Sequence, residues 1–337
     1  MSETHLSKEV LDLQNADTSN QIIKLLENDE KFIYLSNFEG EQIFTRDQED
    51  DTKLEAGIKI GVDRGSLPAD HNCTPYKAID VLGKTPQQVV DVILSDVGEA
   101  ANTGSLIVMC GLSGTGKGTT AALLKDTLPN CVTWSNGNIF RSITLLAAVF
   151  CEQTGCEFDK AKALTDENIR SFMKMLRFEK LESGWDVVID GLGINTPVGA
   201  IQNTDLKAPR VAKNIPTVAQ ETQGEVINFA SAAIEKMRLD GKNILLEGRE
   251  QTVNYIPSPF RYTLTLSDPS LVGKRRAAQR LAAATASEVR AKLVTGLGIE
   301  GSTAEYLRTN QDGLVTSALR EQTSWLAKEA GLEAVDK

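Results

Sequence analysis

Histidine is almost absent from this chain of 337 residues, which contains only His5 and His71. The five cysteines are scattered and form no Cys-x-x-Cys pair. The sequence therefore offers neither a typical zinc site nor a cysteine or serine nucleophile that histidine could activate. We expect a reaction that uses carboxylates for proton transfer, or one that needs little of it. Phosphoryl transfer is of the second kind.

Long apolar runs and an excess of positive charge are also lacking. No stretch approaches the ~20 apolar residues that a membrane-spanning helix needs, and the acidic, polar start does not resemble a targeting signal. We therefore expect a cytoplasmic protein with no membrane partner. The formal net charge of −10 argues against nucleic acid as a partner.

A glycine-rich loop is the most informative segment of the chain. Residues 105–119 read SLIVMCGLSGTGKGT, which is the strand–loop–helix context of a phosphate-binding loop. Glycine lets the main chain approach a phosphate, and the N–H groups at the start of the next helix point at the anion. In place of the usual Gly-Lys-Ser/Thr ending, a glycine follows the lysine and the hydroxyl comes one residue later. The predicted cofactor-binding residues are Gly111, Ser113, Gly114, Thr115, Gly116, Lys117, Gly118 and Thr119.

Apolar segments that alternate with helical patterns predict an α/β fold, with a parallel sheet that helices cover on both faces. The predicted strands are 105–110, 131–134, 186–190, 243–247 and 261–266. The predicted helices are 117–127, 138–153, 165–182, 210–222, 224–238, 269–283, 286–295 and 313–330.

The first 100 residues predict a smaller α+β extension of unknown function. Their pattern indicates a helical segment within residues 1–30, a hairpin at 31–45, a charged loop at 46–53, an irregular stretch at 54–80 and a helix at 85–97. A polar linker at 98–104 places a domain boundary near residue 100, so that the two predicted domains are 1–100 and 101–337.

The residues that follow the predicted strands suggest a family, since phosphate-loop folds bind ligands at the carboxyl ends of their strands. Residues 135–141 read SNGNIFR, and 247–250 read EGRE. With the phosphate loop, these motifs resemble the cytidylate kinases, which are nucleoside monophosphate kinases with a loop that ends in Gly-Lys-Gly-Thr. The similarity covers about residues 105–282. It implies a P-loop kinase core with an acceptor-binding region at about 135–240 and a helical lid at about 268–312.

The resemblance also implies ligands and roles. The donor would be ATP with Mg²⁺, and the partner would be a small-molecule phosphate acceptor. The implied catalytic residues are Lys117, Arg249 and Arg276, with Arg275 and Arg280 as further lid candidates. The implied acceptor-binding residues are Asn136, Phe140, Arg141, Arg249 and Glu250, and the implied metal ligands are Thr119 and Glu247, with Asp190 as an alternative outer ligand.

Departures from the family pattern leave two functions open. Glu225 stands where the family has an arginine, and no Arg-Asp-x-x-Asp-x-x-Arg lid segment follows residue 282. The chain could be a kinase that moves the γ-phosphoryl group of ATP to a nucleoside monophosphate or another small molecule. It could instead be a nucleotide-binding regulatory or scaffold protein with a degenerate kinase site. The acidic composition weakens a third reading, a nucleic-acid-binding ATPase.

Overall fold

The structure, a computed structural model, describes residues 5–71, 73–297 and 310–332. Their contacts define two compact units. The first consists of 1–47, 113–115 and 266–337, and the second of 48–112 and 116–265. The contacts therefore do not divide the chain at the predicted boundary near residue 100.

The helices are numbered in chain order. They are α1 (Lys8–Leu13), α2 (Ala16–Leu25), α3 (Glu30–Asp63), α4 (Pro86–Val97), α5 (Lys117–Thr127), α6 (Gly137–Thr154), α7 (Lys160–Ala163), α8 (Asp166–Lys174), α9 (Val198–Ile201), α10 (Pro209–Ala212), α11 (Ile215–Glu221), α12 (Gln223–Leu239), α13 (Glu250–Val253), α14 (Ser270–Leu297) and α15 (Gln311–Glu329).

A five-stranded parallel sheet is the framework of the second unit. The eight strands of the described residues are β1 (Lys77–Asp80), β2 (Leu106–Gly111), β3 (Cys131–Trp134), β4 (Leu176–Leu181), β5 (Gly184–Gly191), β6 (Ile194–Pro197), β7 (Asn243–Glu247) and β8 (Phe260–Thr265). The order in the parallel sheet is β1-β8-β2-β7-β3, which places β2 at the centre. The α/β class and the four predicted strands of this sheet are confirmed.

Both faces of the parallel sheet are buried, as the continuous apolar strands predict. Leu106 and Val108 of β2 point to one face and join the core with residues of α6 and α12. Ile107 and Met109 point to the opposite face and are also fully buried. Helices α4 and α5 pack on strands of this sheet. The sheet therefore forms the middle layer of the second unit.

The predicted helix at 165–182 is wrong in its second half. Helix α8 ends at Lys174, and β4 then pairs antiparallel with β5. Leu176 and Phe178 are buried on alternate positions of β4, while the charged residues between and after them suit a helix equally well by propensity. With β6, these strands form a separate three-stranded antiparallel sheet.

The predicted hairpin at 31–45 is wrong, because this segment belongs to the 34-residue helix α3. The buried positions are Phe32, Leu35, Ser36, Glu39, Gly40, Ile43 and Asp47, which follow the period of a helix. Several members of this stripe are polar or lack a side chain, so the apolar pattern alone does not show it. The stretch 54–80, predicted as irregular, contains the end of α3 and all of β1.

Gly40, which lies within the predicted hairpin, is instead placed where α3 meets α14 in the first unit. A Cβ on Gly40 would be 3.6 Å from the Cα of Gly273, and a Cβ on Gly273 would be 2.0 Å from the carbonyl oxygen of Ser36. Glycine at these positions allows the two backbones to approach closely. Gly40 therefore serves the packing of α3 against α14.

Helix α14 is continuous, although the sequence predicts two helices at 269–283 and 286–295. Its buried alanines and leucines pack with α1, α2 and α15 to form the core of the first unit. Part of the predicted lid, residues 298–309, lies outside the described residues.

A three-residue polar cluster fastens β1 to the sheet. Lys77 of β1 binds the carboxylate of Asp96 at the end of α4, and the hydroxyl of Tyr262 in β8 donates to Asp96 Oδ2 at 2.6 Å. The hydrogen bonds from Lys77 and Tyr262 hold the pKa of Asp96 below its usual value. This edge strand therefore depends on a charged carboxylate.

We expect Asp96→Asn to lower the free energy of unfolding by about 1 kcal/mol at pH 7, since the bonds to the partly exposed carboxylate weaken. Because the folded-state pKa is lowered, the stabilisation is present above the unfolded pKa of about 3.9 and is lost as the pH falls through the folded pKa. Urea unfolding of both proteins between pH 7 and pH 3 should show the difference shrink. Asp126→Asn, an exposed aspartate of α5, is the control, and a pH-independent difference would contradict the prediction.

Candidate functional site

The carboxyl edge of the parallel sheet collects most of the predicted site residues. Because β2, β3 and β7 run in parallel, the segments that follow them emerge at the same edge. Met109 of β2 lies opposite Glu247 of β7, and Trp134 of β3 lies opposite Leu246. In the second unit, the two ends of the phosphate loop at Gly111 and Gly116 therefore lie at the same sheet edge as the start of α6 and the start of α13.

The phosphate loop begins and ends with glycines in conformations that other residues rarely adopt. Gly111 has φ of 136° and Gly116 has φ of 85°. Gly116 is the N-cap of α5 and provides no side-chain cap, so the first-turn N–H groups of α5 suit an anion. Lys117 Nζ donates to the carbonyl oxygens of Gly111 at 2.7 Å and Leu112 at 2.9 Å. The ammonium group is therefore held at the mouth of the loop.

Ser113, predicted to bind the cofactor, is bound by a carboxylate that the sequence reading missed. Its N–H and its hydroxyl donate to the two oxygens of Asp47 at 3.0 and 2.8 Å. Asp47 is 2% exposed, and Arg46 donates to the Ser113 hydroxyl at 3.2 Å. These residues, with Gly114 and Thr115, belong to the first unit by their contacts. The buried face of α3 that carries Asp47 also includes Ser36, Glu39 and Gly40, so the apolar pattern of the sequence gives no signal for this contact.

The start of α6 holds Asn136, Phe140 and Arg141. Trp134 Nε1 donates to Asn136 Oδ1 at 2.7 Å, which fixes the N-cap residue of α6. Arg141 Nη1 donates to Asn138 Oδ1 at 3.2 Å, and Phe140 is partly buried against the core. Arg141 is half-buried within the first two turns of α6, where a guanidinium can meet a phosphate at the sheet edge.

Arg249 is the N-cap of α13, two residues beyond the end of β7. Its guanidinium lies 3.7 Å from Asp50 and 3.6 Å from Asp51, and its side chain is 24% exposed. Both aspartates come from the second half of α3, so the predicted charged loop at 46–53 is wrong. Arg249 is therefore positioned by an acidic turn of α3.

Glu250 follows Arg249 and accepts a weak hydrogen bond from the thiol of Cys110 at 3.4 Å. Burial raises the pKa of Cys110 to about 12, so the thiol stays protonated and can donate. Glu250 itself is exposed. This contact ties the first residue of α13 to the end of β2.

A buried arginine holds the end of α13 and the turn that follows it. Arg261 of β8 is fully buried and donates to the carbonyl oxygens of Val253 and Ile256 and to Asn254 Oδ1, at 2.8–3.0 Å. Its guanidinium also lies over the ring of Tyr76, 4.5 Å from the centroid. Burial raises the pKa of Tyr76, which therefore remains a neutral donor. Arg261 is thus a positioning residue for the turn that follows Arg249.

The predicted lid arginines lie in the first unit. Arg280 pairs with the buried carboxylate of Glu39 and with Glu329 at 3.1 Å. Arg276 is 3.9 Å from Glu39 and its side chain is 53% exposed, while Arg275 reaches the carbonyl oxygen of Gly114 at 3.4 Å. Of the three arginines, Arg280 forms ion pairs with both Glu39 and Glu329, which indicates a structural role in the first unit.

The chemistry of Thr119 and Glu247 suits Mg²⁺, which prefers oxygen ligands and keeps several waters. Both side chains are exposed at the edge of the sheet that carries the phosphate loop. Asp190, the alternative ligand, lies in the antiparallel sheet and pairs with Arg177 at 3.3 Å. Among the described residues, no group of three or more histidines, cysteines and acids could hold a metal ion by itself. Phosphate and water oxygens would therefore complete the shell.

No helix within residues 5–71, 73–297 and 310–332 is long and apolar enough to cross a membrane.

We expect Asp47→Asn to loosen the phosphate loop, because an amide offers only one acceptor oxygen to the two donors of Ser113. The Ser113 amide should exchange its hydrogen about ten-fold faster or more. Hydrogen exchange followed by NMR measures this rate. Asp50→Asn, three residues further along α3, should leave the exchange rate unchanged. Equal rates in Asp47→Asn and the parent protein would show that Asp47 does not hold Ser113.

No family model matches the chain, and no curated protein matches it. The likeness to the cytidylate kinases consequently rests on the motifs at residues 111–119, 135–141 and 247–250.

Proposed function

We propose that the chain is an ATP-dependent phosphotransferase that moves the γ-phosphoryl group of ATP to a small phosphate-bearing acceptor such as a nucleoside monophosphate. One observation carries the proposal. A phosphate loop with Lys117 and a guanidinium at Arg249 follow neighbouring parallel strands, β2 and β7, at the same edge of one sheet. Donor and acceptor phosphates both need cationic partners, and this edge offers one for each.

In the proposed reaction, the N–H groups of α5 and Lys117 bind the donor phosphates. Arg249 and Arg141 bind the acceptor phosphate and direct one of its oxygens at the γ-phosphorus. That oxygen forms the new P–O bond while the bond to the β-phosphate oxygen breaks, and ADP leaves with the electron pair. Mg²⁺, held by Thr119 and Glu247, would neutralise charge on the donor phosphates.

An ionised phosphate oxygen needs no base to attack, so the shortage of histidine fits this reaction. Catalysis would depend on positioning and on charge neutralisation. Arg276, the more exposed of the two arginines beside Glu39, would act as the lid arginine.

Lys117→Ala should reduce the rate of acceptor-dependent ADP formation about 100- to 1,000-fold, because a cation that stabilises the developing charge is removed. The assay supplies ATP, Mg²⁺ and a panel of nucleoside monophosphates and small alcohols. Lys125→Ala, in the last turn of the same helix, is the matched control and should retain full activity. ATP binding without turnover on any acceptor would favour the regulatory or scaffold alternative.

Arg249→Ala should raise the KM for the phosphorylated acceptor about 30-fold or more, while the KM for ATP changes little, since in the proposed complex the guanidinium binds the acceptor phosphate and not ATP. Arg249→Lys should restore part of the loss. Arg238→Ala removes a surface arginine that pairs with Glu235 in α12 and should change neither constant. An equal loss for both substrates would overturn the role of Arg249.

A further inference from the structure

A cavity of about 450 Å³ lies in the second unit between α3 and the end of α13. Glu55 and Lys59 of α3 line one side, and Gln251, Asn254 and Tyr255 line the other. Its lining is mainly apolar with a few polar groups, and its volume suits a small organic molecule. None of the predicted site residues lines it, so the proposed phosphoryl transfer does not account for it.

The walls of the cavity are firmly supported. Gly61 of α3 packs against Gly224 of α12, where an added Cβ would be 3.2 Å from the Gly224 Cα. Beyond this contact, Arg64 pairs with the buried Glu221 at 3.0 Å. The α13 side is held by Arg261 through the carbonyl oxygens of Val253 and Ile256. The cavity is therefore preformed.

A stacked aromatic pair forms part of the cavity wall. The rings of His71 and Tyr255 are 4.0 Å apart and 26° from parallel. Such a pair presents flat surfaces on which a further planar ring can stack. Base–aromatic stacking is a common way to hold a planar heterocycle.

One polar group of the cavity is held by hydrogen bonds, and others have no partner among the described residues. Asn254 Oδ1 accepts from the Tyr76 hydroxyl at 2.7 Å and from Arg261 at 3.0 Å, so the amide nitrogen is the polar atom that remains for a ligand. Within the described part of the chain, the side chains of Glu55, Lys59 and Gln251 form no hydrogen bond or ion pair. A donor at Asn254 and an acceptor at Glu55 match a ring that has an acceptor atom and an amino group.

The two helices that line the cavity, α3 and α13, also position Arg249. Helix α3 contacts Arg249 through Asp51, and Glu55 lies one turn further along the same helix. Helix α13 starts from Arg249, and Gln251 is its second residue. A phosphomonoester bound at Arg249 can therefore direct its organic part into the cavity.

We propose that this cavity binds the amino-bearing heteroaromatic base of a nucleoside monophosphate acceptor, with the base stacked on the His71–Tyr255 pair and its edge bound by Asn254 and Glu55. The inference rests on the proposed function for the role of Arg249. It assigns acceptor recognition to α3, a helix outside the segment that resembles the cytidylate kinases.

The test measures binding to the full chain without ATP, by titration calorimetry with AMP, CMP, UMP and ribose 5-phosphate. AMP and CMP should bind more tightly than UMP, which has no amino group, and than ribose 5-phosphate, which has no base. Glu55→Gln should weaken AMP and CMP about ten-fold and leave ribose 5-phosphate unchanged, because a charged acceptor is lost. Glu49→Gln is the matched control, since Glu49 is exposed on α3 and does not line the cavity.

Tyr255→Leu should weaken every nucleotide with a base about ten-fold and spare ribose 5-phosphate. Tyr255 packs partly against the core, so thermal unfolding must show that this variant is folded. Glu55→Gln is a surface change and keeps the test decisive if Tyr255→Leu is not folded.

The outcomes separate this inference from the proposed function. Equal affinity for the nucleotides and ribose 5-phosphate, or equal effects of Glu55→Gln and Glu49→Gln, overturns the cavity site even if ADP formation shows a kinase. Absence of binding by all four ligands overturns it as well. Base-dependent binding that Glu55→Gln weakens supports it, and if no turnover accompanies that binding, the kinase proposal alone fails.

Discussion

The close approach of β2 to β8 at Gly111 is the constraint on which the rest of the site depends. Gly111 lies opposite Leu264, and a Cβ at this position would be 2.4 Å from the Leu264 carbonyl oxygen. Only glycine permits this contact together with φ of 136°. The strand can therefore stay paired to its last residue and then turn directly into the phosphate loop. Because the neighbouring strands are parallel, Arg141 and Arg249 emerge at the same edge.

Helix α3 links features that appear unrelated in the sequence. One face buries Asp47, which holds Ser113 of the phosphate loop within the first unit. A later turn supplies Asp50 and Asp51 to Arg249 in the second unit, and the next turns line the cavity. Within each unit, the helical spacing of α3 therefore decides which of its acidic side chains meets a partner.

The sequence predicts the features that local residue chemistry determines, and it does not predict those that tertiary packing determines. The glycine spacing and the apolar strands indicate the phosphate loop and the sheet, because backbone geometry and burial impose these residue types locally. The helix at 31–45 is hidden because Glu39 and Gly40 are buried through an ion pair and a backbone contact with α14. Asp50 and Asp51 are equally hidden, since nothing near them in the sequence reveals that Arg249 is their partner. Long-range partners of this kind require the fold.

The two aspartates of α3 beside Arg249 affect which anions this arginine would bind. Asp50 and Asp51 lie 3.6–3.7 Å from Arg249, beyond hydrogen-bond distance, so these contacts hold the guanidinium by charge. A phosphate could gain shorter, directed bonds to the same group, but it would be repelled by the two carboxylates. A small inorganic anion has nothing to offset that repulsion. A phosphomonoester can offset it with its organic part, and the cavity that begins one turn further along α3 is where that part would bind. The carboxylates would therefore make the site selective for ligands that fill the cavity.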